Sequence, residues 1–179
     1  TMSKWELQDK TLAASGITFD ESQEVLELEP SLYQRLGEKG LMELSTLFYD
    51  RVFDDHESVW FLNIFATSSK AEAIENQSRF FVQTFGGPDL YRQKKGKYTR
   101  LVGRHANYGI GYQAADRWVE HMSAAMKEHS MLKDDFEIQE KLCKYFRYTA
   151  HYIVVSSIYM RSDQAGTHLL DLSMLHQLE

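Results

Sequence analysis

The sequence predicts an all-α fold. Only 2 of its 179 residues are proline, the residue that most reliably interrupts a helix. Strict apolar–polar alternation, the mark of a half-buried strand, is scarce. Apolar residues instead recur three and four apart over several long stretches, as one buried helix face requires.

The elements follow in chain order. Residues 1–30 read as an N-terminal extension, with a short helix over Ser22–Leu28 ended by Pro30. Ser31 is placed to cap a helix through Leu36, and Gly37 and Gly40 break it. From Leu41 a second helical run carries Leu44, Leu47, Phe48 and Val52 on one stripe, and Asp54 and Asp55 end it. Val59, Trp60, Phe61, Ile64 and Phe65 predict a short corner helix. Ser69, followed three residues later by Glu72, matches the capping box. Ile74, Gln77, Phe81 and Phe85 then share a face, and Gly86-Gly87-Pro88 stops the helix.

Residues 89–104 are the most basic stretch and read as loop with short helical turns. Ala114, Trp118, Met122 and Ala125 mark an amphipathic helix over 112–129. Asp134 or Asp135 caps a long helix whose stripe is Phe136, Leu142, Phe146, Ile153 and Val154, reaching about Met160. Residues 163–179 form a C-terminal tail, where Leu169, Leu170, Leu172, Met174 and Leu175 suit one more helix.

Composition narrows the function. The apolar share of 43% and charged share of 26% are those of a globular domain. With 20 Lys and Arg against 26 Asp and Glu, the net charge is −6. A general nucleic-acid binder needs a basic surface instead. Cys143 is the single cysteine, so no internal disulfide forms, and a reducing, cytoplasmic setting is expected. No apolar run is long enough for a membrane helix, so no membrane association is expected. The 7 histidines include no H-E-x-x-H pair. Neither a G-x-S-x-G elbow nor a phosphate-binding glycine loop is present.

His105 stands apart. It follows Gly103-Arg104 in the irregular segment between two amphipathic helices. Read alone, it is a solvated loop histidine. Tyr49, Gln77 and Trp118 are polar or half-polar groups on otherwise apolar helix faces. Each has an ordinary reading too: a tyrosine reaching water, a glutamine at a helix edge, a core tryptophan. Buried together without partners, each would cost ~1–3 kcal/mol. One arrangement uses all four: a flat apolar cofactor whose metal takes His105 on one side and faces three donors on the other.

These residues sit in stretches that resemble a known family. They are Phe48-Tyr49-Asp50-Arg51-Val52-Phe53-Asp54-Asp55, Phe80 through Tyr91, Gly103-Arg104-His105, and Gln113-Ala114-Ala115-Asp116-Arg117-Trp118. In order and spacing the chain is similar to the truncated, two-over-two haemoglobins of group II, and to the plant form among them. The likeness spans roughly residues 31–160, with the globin domain set at 31–162.

The resemblance implies haem b, iron protoporphyrin IX, with His105 as its proximal iron ligand. It makes Tyr49, Gln77 and Trp118 the distal ligand-binding residues. Phe65 would pack on the haem at the helix corner, and Phe48, Phe80 and Phe81 would line the pocket. Ala73 falls where many globins keep a distal histidine. Arg104, Tyr91, Lys94 and Lys95 would reach the propionates, and Tyr108 would lie beside the cofactor. Ala106-Asn107-Tyr108 departs from the family's usual proline-aromatic step.

The function expected from this is reversible binding of O₂, and of CO or NO, with distal hydrogen bonds slowing O₂ release. An alternative is an enzyme that turns NO and bound O₂ into nitrate with a separate reductase. A peroxidase-like activity has no distal acid–base histidine to support it. A haem-free interaction module is the third reading, and the chain is compatible with a monomer or a homodimer.

Overall fold

The computed structural model describes residues 2–63, 69–89 and 111–162. Among these residues the regular structure is entirely helical. Helix α1 spans Lys4–Ser15, α2 Phe19–Gln23 with a 3₁₀ turn at Glu24–Glu27, and α3 Leu32–Phe53. Helix α4 spans Val59–Leu62, α5 Lys70–Thr84, α6 Tyr112–Glu128 and α7 Phe136–Ser162. Helix α3 packs most extensively on α5, and α6 on α7; α3 also crosses α6. That is a two-over-two pairing, two helix pairs closed around one core.

Local chemistry sets the boundaries. Ser31 accepts from the backbone of Gln34, whose side chain returns a bond to the Ser31 N–H, a full capping box. Gly37 then takes φ 68°, a left-handed conformation that glycine adopts without steric cost, and kinks α3. The expected second break at Gly40 does not occur. Gly40 is helical and buried, and a Cβ there would lie 2.8 Å from that of Leu36. Ser69 caps α5 by accepting from the Glu72 N–H at 3.1 Å. Asp135 caps α7 by accepting from Ile138. Gly86, at φ 100°, turns the chain after α5, and Phe85 accepts from the Tyr33 N–H at the start of α3.

The N-terminal residues form more structure than the single short helix expected from Ser22 to Leu28. Ser3 with Glu6, and Thr18 with Glu21, each build a capping box, which starts α1 and α2. Both helices pack on α7. Leu7 and Val25 are buried in the common core, and Arg147 Nε donates to the Ser15 carbonyl at 2.7 Å.

The α6–α7 turn is tied to α3 by His129 and by Ser130, whose N–H and hydroxyl both donate to the Glu43 carboxylate. His129 is fully buried; its Nε2 donates to the Gly40 carbonyl at 2.7 Å. Its Nδ1 accepts from the N–H groups of Met131 and Leu132. Phe136, placed on the α7 stripe by its spacing, is instead 73% exposed. It is the first residue of α7, where nothing among the described residues covers it. Leu142, Phe146 and Val154 are buried as expected, while Ile153 is half-buried.

Candidate functional site

Phe48 is the centre of the described part of the site. It is fully buried on α3 and touches two of the candidate donors' rings. The Tyr49 ring lies 4.9 Å away, nearly perpendicular, and the Trp118 ring 4.8 Å away from α6. Trp118 also packs on Phe146 of α7 at 5.2 Å. The crossing of α3 and α6 thus brings together Phe48 and Trp118, 70 positions apart in sequence, and Phe48 in turn packs on Tyr49. Tyr49 is 8% exposed.

The α5 face contributes Ala73, Gln77, Phe80 and Phe81. Ala73 and Phe81 are buried; Gln77 and Phe80 are half-buried. Phe81 packs on Phe85 and Phe146, and Phe80 on Phe81. Gln77 follows Ala73 by one turn on the same face. The Gln77 side-chain oxygen is buried and finds no partner among the described residues, and neither does that of Asn76. A buried carbonyl oxygen without a partner is costly, so Gln77 is a polar group on this wall still open to a ligand.

A charged cluster closes the α3–α4 corner. Asp55 has a side chain 1% exposed. It accepts from Arg117 Nε and Nη2, each at 2.9 Å, from His121 Nε2 at 2.7 Å and from the Ser58 N–H at 3.1 Å. The Arg117 bonds hold the Asp55 carboxyl far below the ordinary carboxylate range, against the burial that pushes it up. The same pair raises Arg117 further above its ordinary value. Asp55 and Arg117 lie inside the recognised motif stretches, but no sequence signal joins them.

His105, Phe65, Tyr91, Lys94, Lys95, Arg104 and Tyr108 lie outside the described residues, as does the 163–179 tail. No cluster of metal-binding side chains occurs among the described residues. No helix among them is long and apolar enough to cross a membrane.

Two crossed helix pairs around an aromatic cluster fit the class of the truncated globins. The bacterial-like globin family matches residues 31–152. The two-on-two hemoglobin-3 of Arabidopsis thaliana is 41% identical over 162 residues, covering 90% of this chain and 89% of the relative. The group 2 truncated hemoglobin 3-1 of Lotus japonicus is 44% identical over 126 residues, 70% of this chain and 73% of the relative. Among solved structures, the hemoglobin of Chloroflexus aurantiacus superposes with a TM-score of 0.59 at 31% identity, covering 70% of this chain and 98% of that one. That of Thermobifida fusca gives 0.59 at 29% identity, covering 69% and 96%.

The chain belongs to the bacterial-like globin family, and within it to the plant-type group 2 truncated haemoglobins. Membership implies a haem cofactor and a gaseous ligand. The described wall of the site fits that cofactor. Phe48, Phe81 and Ala73 supply a buried apolar lining, and the Gln77 side-chain oxygen supplies a buried polar atom with no partner among the described residues.

Proposed function

We propose that this chain binds O₂ reversibly at haem b held by His105, with CO and NO as further ligands. Haem iron carried by a neutral histidine supplies the coordination position for a diatomic gas. The chain's own residues decide how long that gas stays. Tyr49 offers an O–H, Trp118 an indole N–H and Gln77 an amide N–H. Donors aimed at a partly negative ligand act more strongly where water is excluded. Two such bonds at ~1 kcal/mol each slow ligand loss by ten-fold or more.

The packing of the Tyr49 and Trp118 rings on the buried Phe48 carries this reading, and Gln77, whose side-chain oxygen is buried without a partner among the described residues, adds a third polar group from α5. Gln77 stands one turn from the small Ala73 on the same face of α5. With Ala73 in place of a histidine and no histidine elsewhere in α5, this helix offers no imidazole to compete with a gas for the iron. Slow release suits chemistry or sensing on the bound gas better than bulk oxygen delivery.

The test is a visible absorption spectrum on titration with haem. A sharp Soret band saturating at one haem per chain and lost in His105→Ala supports the reading. No stoichiometric uptake would leave a haem-free helical module in its place.

A further inference from the structure

The gas-binding reading uses Trp118 but leaves its sequence neighbour Arg117 without a role. Arg117 and His121 are one turn apart on α6 and so project from one face. Both grip the same carboxylate, that of Asp55, just past the end of α3. Each Asp55 oxygen accepts two bonds: Oδ1 from Arg117 and Ser58, Oδ2 from Arg117 and His121. The guanidinium fork permits one orientation only, because two parallel N–H donors must meet two oxygens.

Two attachment points a turn apart fix both the rotation of α6 about its axis and its slide along α3. Trp118 lies one residue on, about 100° round the helix. Its indole direction therefore follows the Asp55 grip. Tyr49 sits on the same helix that leads into Asp55, six residues earlier. Phe61 of α4 packs on the His121 ring at 5.5 Å and backs the cluster from the third side.

We propose that Asp55 is a positioning residue for the pocket: through Arg117 and His121 it sets where Trp118 points relative to Tyr49. The proposal rests on the gas-binding reading for its functional consequence. Its structural content, the aim of the indole, stands apart from that reading and is measured separately.

The experiment compares full-length, haem-loaded Asp55→Asn, Trp118→Phe and the double variant, each with carbon monoxide as the probe. Three quantities are read: the O₂ dissociation rate, the C–O stretching band, and the indole ¹⁵N–¹H signal of Trp118 in the CO-bound protein. Arg117→Lys accompanies them, since it keeps the charge but cannot make the fork; it serves if Asp55→Asn does not fold.

The expected result is a shifted or split indole signal and a moved C–O band in Asp55→Asn or Arg117→Lys. Their O₂ release should rise about three-fold or more, from a partly lost bond. In the double variant, release should match that of Trp118→Phe alone, because the clamp acts only through the indole. An unmoved indole signal in folded variants overturns the proposal and leaves the cluster as a fold anchor. So does a double variant whose effects multiply. If Trp118→Phe itself leaves release unchanged, the distal reading of Trp118 fails, and the indole signal alone then decides the positioning claim.

Discussion

The Phe48 ring of α3 lies 4.8 Å from the Trp118 indole of α6, with the two planes inclined at 48°. This contact joins the helix of one proposed donor, Tyr49, to the helix of another. It makes the pocket a product of the α3–α6 crossing and not of either helix alone.

Tyr49→Phe removes one O–H while keeping the ring against Phe48 and Phe53. The O₂ dissociation rate should rise roughly ten-fold for a bond to a partly charged ligand, worth ~1.5 kcal/mol. Stopped-flow displacement of O₂ by CO measures it. A rate equal to that of the unaltered protein removes Tyr49 from the distal set.

Gln77→Leu should act in opposite directions in two assays. Without haem, the buried amide oxygen has no described partner, so an isosteric apolar side chain should leave stability unchanged or raise it by up to ~1 kcal/mol. With haem and O₂, a lost donor should speed release several-fold. Chemical denaturation of the haem-free chain and O₂ release kinetics check the two arms. A loss of stability in the first would mean that the amide is already satisfied.

Asp55 should shape the acid limb of stability. Its carboxyl ordinarily titrates near 3.8 and is held far lower in the folded chain, first by Arg117. A depressed folded value means that the unfolded chain takes up the proton first as the pH falls. The contribution is therefore full above about pH 4 and is lost as the pH falls through the folded value. Asp55→Asn should lower stability at neutral pH by about 2–3 kcal/mol. That is below the ~3–5 of a fully buried pair, since the Arg117 side chain keeps 28% exposure. The variant should also flatten the midpoint between pH 4 and 2. Denaturant midpoints across that range test both; an unchanged acid limb would show that other carboxylates set it.

Leu7→Ala should cost ~2–5 kcal/mol, as much as a residue of the globin body. Leu7 is 3% exposed and belongs to the same core cluster as Phe48 and Phe146. Guanidinium unfolding measures the loss. A cost below ~0.5 kcal/mol would mean that α1 frays from α7 independently.

Much of the fold is legible locally. The proline scarcity, the Ser31 cap, the glycine kink and the Gly86-Gly87-Pro88 stop depend on residues within one turn of each other. The capping boxes of α1 and α2 carry a local signal of the same kind, Ser3 with Glu6 and Thr18 with Glu21, although only a short helix over Ser22–Leu28 is expected for residues 1–30. The candidate donors stood out too, because a tyrosine, a glutamine and a tryptophan on apolar faces are locally anomalous.

Burial and pairing were not legible. Phe136 has the right spacing for the core yet is exposed, because periodicity says which residues share a face and not what covers it. Asp55 meets Arg117 across 62 residues, and no local pattern specifies a pair that only the α3–α6 crossing creates. The sequence by itself determined the main helices from Ser31 onward, most of their ends and the chemical types of the candidate site residues, through steric and hydrogen-bonding preferences acting within a few residues. Only the tertiary structure decided which rings Phe48 touches, that Leu7 belongs to the core, and that one buried carboxylate locks α6 onto α3. Those contacts exist only once distant segments have paid the entropy of coming together.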